Sequence, residues 1–282
     1  MPSLIATRAG LALSSALLAT AITMAVVLLY LVDRGAACQK YQLELPVPSE
    51  KEVAAVRFEF SVNVVVRTHP GKAAYLPLML GSLLLAALHA ENVSMHVLVM
   101  NTDSELYGDT SYMRAAIREQ GRLLRACRCA TLEVVTFREA PWDGFYGYDY
   151  TQYALERLLD DSSARAADYY LFTNGDNLFS DALFLKVLPY FSKSTSLITF
   201  SHTSHHIGNN LIPAEFKMTR LDLSSVFFSG VILARNRTAA NFMPQGRATE
   251  CIYAADWCFV ERLLATEGAT AEVAPGVLLF HQ

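Results

Sequence analysis

The sequence predicts an α/β fold, a mostly parallel twisted sheet with helices on both faces, preceded by an N-terminal transmembrane helix. Three observations carry this expectation. Apolar, β-branched strand runs alternate with helical spacing from residue 60 to 282, the pattern of a sheet covered on both faces. A charge-free stretch of about 22 residues at 11–32 is long enough to cross a roughly 30 Å hydrocarbon layer as a helix. The run Leu171-Phe172-Thr173-Asn174-Gly175-Asp176-Asn177 carries a strand straight into an acid flanked by carboxamides. Asp and Asn disfavour strand interiors, so they should crowd the carboxyl end of the strand, where open α/β sheets bind ligands.

With 52% hydrophobic residues the 282-residue chain has ample material for a core and is not disordered. A net charge of −4 without a long basic run leaves no electrostatic footprint for nucleic acid. The expected organisation is a short tail at 1–10, a signal anchor at 11–32, a polar stem at 33–59 containing Pro46 and Pro48, and one folded domain at 60–282. A cleavable signal peptide ending at Gly35-Ala36-Ala37 is the competing reading of the apolar stretch. Either reading exports the domain, and the acceptor triplets Asn92-Val93-Ser94 and Asn236-Arg237-Thr238 suit a glycosylating lumen. Of the five cysteines, Cys127 and Cys129 lie too close for an easy mutual bridge. A bridge from one of them to Cys251 or Cys258 fits an oxidising compartment.

Within the domain, 60–66 reads as a β-branched strand and 73–90 as an apolar helix kinked at Pro77. A strand at 95–100, a helix at 110–127 and a strand at 131–137 complete a β-α-β-α-β alternation. There follow a helix at 151–159, a buried strand at 169–172, a helix at 181–188 behind a Ser180-Asp181 cap, and a strand at 196–200. The polar stretch 201–220, with His202, His205, His206, Asn209 and Asn210, reads as a loop. A strand at 226–234, a helix at 254–267 and a strand at 273–280 close the chain.

A carboxylate beside amide oxygens and a glycine suits a divalent cation shared with phosphates, although an Asx turn capping the next helix has the same composition. At Asn174-Gly175-Asp176 the chain resembles glycosyltransferases of the GT-A fold, whose D-x-D motif ends the fourth strand. The resemblance covers about 61–282 and departs at the first acid, where Asn174 supplies only a neutral oxygen.

The resemblance implies a nucleotide-diphospho-sugar donor held by Arg67, Thr68, Asp103, Asp149, Gln152, Asn174 and Gly175. It implies Mn2+ or Mg2+ on Asp176 and on His281, which ends the apolar run Val277-Leu278-Leu279-Phe280. It places the general base at Asp256, in Ala254-Ala255-Asp256-Trp257, although a carboxylate at a helix start also stabilises that helix by itself. Trp257, His202 and Asp222 are the acceptor-side candidates.

The implied protein is a type II membrane glycosyltransferase of the Golgi or another secretory lumen, acting on a glycan or glycoprotein, with inversion resting on Asp256 alone and retention left open. Two rivals stand beside it. A nucleotidyltransferase would show a glycine- and lysine-rich loop after the first strand, of which Thr68-His69-Pro70-Gly71-Lys72 is a poor version. An inactive lumenal binding protein of the same fold would account for the missing first acid.

Overall fold

The structure, a computed structural model, describes residues 59–90, 92–137, 147–160, 167–204, 210–236 and 255–281. All belong to one compact unit, Arg57–Gln282. The expected tail, membrane-spanning segment and most of the stem lie outside the described residues. Among the described residues no helix is long and apolar enough to cross a membrane.

Among the described residues, nine strands form one sheet. In chain order they are β1 (Phe60–Thr68), β2 (Val93–Asn101), β3 (Ala130–Val135), β4 (Tyr169–Asn174), β5 (Leu178–Phe179), β6 (Leu197–Ser204), β7 (Asn210–Ile212), β8 (Val226–Ser229) and β9 (Ala271–His281). The sheet order is β3-β2-β1-β4-β8-β6-β9-β5, with β7 on the side of β6.

The expectation of a mostly parallel sheet is overturned: the sheet is mixed. Pairs β1/β2, β1/β4, β2/β3 and β6/β9 run parallel, whereas β4/β8, β6/β8, β6/β7 and β5/β9 run antiparallel. The cause lies in the connections. A parallel return needs a crossover, usually a helix, but β6 leads through β7 and an irregular segment into β8, which therefore comes back antiparallel.

Helices α1 (Leu76–Ala90), α2 (Ser111–Glu119), α3 (Gly121–Cys127) and α5 (Leu183–Val187) contribute to one apolar core with Val62, Val64 and Val66 of β1. Helices α4 (Tyr148–Asp160), α6 (Gly230–Arg235) and α7 (Ala255–Leu264) contribute to a second core with Val65, Phe172 and Phe228. The alternation along β1 thus sends successive valines to opposite faces, and both faces are buried.

Several local expectations shift. Pro77 is the second residue of α1, where its missing N–H costs nothing, so it starts the helix instead of kinking it. The helix expected at 110–127 is broken into α2 and α3 around Gln120 and Gly121. The strand expected at 226–234 stops at Ser229, whose Oγ accepts the Ile232 N–H at 3.4 Å and caps α6. Cys127 and Cys129 form a disulfide with each other, against expectation: the left-handed turn at Arg128 folds the chain back and brings their Cα atoms to 4.9 Å. Cys258 is also disulfide-bonded.

The β8–α6 junction carries a stability prediction. The Gly230 N–H donates to the Asp168 carbonyl at 2.8 Å, and a Cβ on Gly230 would lie 2.3 Å from the Ala167 carbonyl oxygen. Because the obstacle is backbone, Gly230→Ala is expected to cost about 1–3 kcal/mol, read as a lowered denaturation midpoint. An unchanged midpoint would mean that this junction yields freely.

Candidate functional site

The parallel directions of β1, β4, β6 and β9 bring Arg67, Asn174, His202 and His281 to one end of the sheet, and the turn that precedes antiparallel β8 lies at the same end. The amino-terminal turns of α4 and α7 reach it too, since Tyr148 Oη donates to Asp256 Oδ1. These residues stand at the carboxyl ends of the parallel strands, the end at which open α/β sheets bind ligands.

The β1 and β4 ends are locked together. Arg67 pairs in register with Asn174, and the Gly175 N–H donates to the Arg67 carbonyl at 2.7 Å. A Cβ on Gly175 would stand 2.6 Å from Thr68 Oγ1, so glycine is what permits this approach. Asn177 Nδ2 donates to Thr173 Oγ1 at 3.1 Å and to Ser224 Oγ at 2.8 Å, tying the loop after β4 to the turn before β8. Asp176 is buried, and one of its oxygens, Oδ2, is ion-paired with Lys72 Nζ.

Around Asp256 lies a second polar group. The Arg67 guanidinium sits over the Tyr148 ring, 5.0 Å from its centroid. The Leu223 N–H donates to Asp256 Oδ2 at 3.3 Å. Burial, then the nearby charge of Asp222, raises the Asp256 carboxyl above its ordinary range, while Arg67, Tyr148 and the Leu223 N–H offset part of the rise.

Asp222 caps the turn Leu223–Ser225 by accepting the Ser224 N–H at 2.8 Å, and its Oδ2 lies 3.5 Å from His281 Nε2. Burial alone would raise Asp222, but His281, the Ser224 N–H and hydroxyl, and His202 outweigh it and hold the carboxyl below its usual range. His202 is buried, which lowers its pKa against the pull of Asp222. His281 Nδ1 also lies 3.4 Å from Ser204 Oγ.

Among the described residues, several buried side-chain atoms at this end have no hydrogen-bond partner: Arg67 Nε and Nη1, Asp176 Oδ1, Asn177 Oδ1 and His202 Nδ1. Buried polar groups are nearly always satisfied, so these atoms have capacity for further polar partners.

The remaining expected residues are placed as follows. Asp103 Oδ1 accepts the Glu105 and Leu106 N–H groups in its own turn at the end of β2. Asp149 lies in the first turn of α4. Gln152 Nε2 donates along that helix to Glu156 at 2.8 Å. Trp257 is half-buried near the start of α7, and the histidines at 205 and 206 lie outside the described residues. Lys72, Tyr148, Asn177 and Ser224 are the site residues that sequence reasoning missed. Lys72 and Asn177 stood inside motifs singled out for other reasons.

The fit of a divalent cation can be judged from these side chains. Asp176 offers one open oxygen, its other being held by Lys72, and His281 is paired with Asp222. Among the described residues no group of three His, Cys, Asp or Glu side chains is arranged to hold a metal ion. Among the described residues, this donor set does not fit a protein-held metal.

No family model matches the chain, and no curated protein matches it. Solved structures do. S. aureus TarS aligns at a TM-score of 0.51 and 11% identity over 79% of this chain and 36% of that one. TarS 1–349 in complex with UDP aligns at 0.50 and 11% identity over 78% and 60%, so this chain spans less than two thirds of its length. The mannosyltransferase PcManGT from Pyrobaculum calidifontis, in complex with GDP-Man and Mn2+, aligns at 0.47 and 16% identity over 80% of this chain and 62% of that one. The chain has the fold of GT-A-type nucleotide-sugar glycosyltransferases.

Proposed function

We propose that the chain is a glycosyltransferase that moves a sugar from a nucleotide-diphospho-sugar to a hydroxyl of a glycan or glycoprotein, with inversion. The observation that carries this reading is the set of unsatisfied buried polar atoms gathered where β1, β4 and β6 end, beside the raised carboxyl of Asp256. Such a site needs a polar, anionic occupant on the Arg67 side and a base on the other. A carboxyl raised above its ordinary range is better matched to taking a proton from a hydroxyl than an ordinary one.

In the proposed reaction Asp256 accepts the acceptor hydroxyl proton as that oxygen bonds to the anomeric carbon. The bond from that carbon to the donor phosphate breaks, and the electron pair leaves with the nucleoside diphosphate. Arg67 meets the charge on the departing group. Asn174 and the close backbone approach at Gly175 shape the donor side, and His202 and Trp257 lie on the acceptor side.

The disulfide between Cys127 and Cys129 and the exposed Asn92 of the Asn92-Val93-Ser94 triplet support an oxidising, glycosylating compartment, the Golgi or another secretory lumen. A thermal-shift screen of the chain against UDP- and GDP-sugars tests the central reading. A ligand present at about 100 times its Kd adds roughly 2.7 kcal/mol to apparent stability, so the true donor should stand out. Absence of any shift, with no sugar released from any donor, would sink it. Binding without transfer to any acceptor would favour an inactive binding protein.

A further inference from the structure

We propose that Lys72 supplies positive charge to the donor's diphosphate in place of a metal ion, with Asp176 as the carboxylate that positions it. This assignment rests on the nucleotide-sugar reading above and adds which group grips the phosphates. Four observations lead to it.

The position of the first acid is Asn174, which is neutral, so the loop after β4 brings a single carboxylate to the site. That carboxylate already holds a cation, the Lys72 ammonium. The other expected ligand, His281, is paired with Asp222, and no three-group metal cluster exists among the described residues. The exposures are also unequal: the Asp176 side chain is 7% exposed and that of Lys72 33%. The acid is therefore the buried anchor and the ammonium the more accessible member of the pair.

Local backbone explains why the lysine is there. Pro70–Lys72 forms a short 3-10 turn between β1 and α1, in which the Lys72 N–H donates to the His69 carbonyl at 2.9 Å. This turn delivers the side chain across the end of β1 to the loop that follows β4. An ammonium has three N–H donors, and one bond to Asp176 leaves two for phosphate oxygens. Lysine serves phosphate as a point charge, and one held by a buried carboxylate loses little further side-chain freedom when phosphate binds.

The Lys72–Asp176 pair is neutral as a unit with its positive end outward. Arg67, whose Nε and Nη1 are buried without hydrogen-bond partners among the described residues, adds the net charge.

The test is calorimetric titration of the full chain with UDP, GDP and the matching monophosphates, in EDTA and in manganese. The diphosphate that binds should do so with similar affinity in both buffers. Lys72→Met should weaken that diphosphate about tenfold or more, the loss of a charge-assisted hydrogen bond, while leaving the monophosphate much less affected. Lys72→Arg should recover most of the loss. Lys72→Met leaves the buried Asp176 without its cation and should melt lower than the wild type, so a cooperative melt in each variant, with Lys72→Arg close to the wild type, will verify that both are folded.

Diphosphate binding that disappears in EDTA and returns with manganese overturns the assignment while leaving the glycosyltransferase reading intact. So does a Lys72→Met protein that binds diphosphate like the wild type. Failure of every nucleotide to bind in either buffer removes the nucleotide-sugar reading and this assignment together.

Discussion

Asp256→Asn should lower kcat by about 10²- to 10⁴-fold, the range set by a positioned general base. The substitution keeps the shape of the side chain. The carboxamide oxygen can still accept the Leu223 N–H, and the Tyr148 hydroxyl can turn to accept from the carboxamide NH2, so donor binding should survive. What disappears is the proton acceptor.

The pH profile supplies a second readout. Burial and Asp222 raise the Asp256 carboxyl above its ordinary 3.8, so wild-type turnover should climb with pH through that elevated value, and the variant should lose the limb. The stability sign is opposite to that of an ordinary ion-paired acid. A raised carboxyl binds its proton more tightly in the folded chain, so folding weakens as pH rises from 3.8 through the folded value. The asparagine variant is free of that cost and should melt no lower than the wild type at neutral pH. Turnover close to wild type would remove Asp256 from the chemistry.

Asp222→Ala should produce the largest loss of stability. It removes the acceptor for the Ser224 N–H, worth about 1 kcal/mol as a cap, and deprives His281 and His202 of their nearby carboxylate. Breaking a buried pair costs about 3–5 kcal/mol, and partial exposure of Asp222 places the expected total near 3 kcal/mol.

Here the linkage has the ordinary sign for an acid. Asp222 is held below 3.8, so its contribution is present above that pH and lost as pH falls through the depressed folded value. The gap in denaturation midpoint between wild type and variant should therefore be wide at neutral pH and close in strong acid. A gap that persists unchanged in acid would show that the charge of Asp222 is immaterial.

The acids of the site also show what could be read beforehand. Asp176 was visible because it stands where an apolar strand gives way to polar residues, and Asp256 because it opens a helix after a polar linker. The strands β1, β2 and β4 were legible because β-branched and aromatic residues fill them on both faces. Direction was not legible. The pattern of apolar residues has a period but no sense of travel, so the antiparallel pairing of β8 with β4 and β6 was hidden in an irregular connection. Strands as short as Leu178–Phe179 and Asn210–Ile212 carry too few residues to show any period.

The site partners that escaped notice are tertiary. Lys72 meets Asp176 across 104 residues of chain, and Tyr148 meets Asp256 across 108. No local spacing encodes such meetings. Distance along the chain misled in the other direction at Cys127 and Cys129, where a separation of two residues looked prohibitive until the left-handed turn at Arg128 folded them together.

The forked carboxamide of Asn177 has a mechanical consequence. By clasping Thr173 on one side and Ser224 on the other, it fastens the segment bearing Asp176 to the segment whose Leu223 amide holds Asp256. For the proposed transfer, the span between leaving phosphate and attacking oxygen is then a dimension of the scaffold, set before either molecule arrives. A site built this way selects acceptors by how far their hydroxyl can reach, and has little latitude to remodel itself around a poor one.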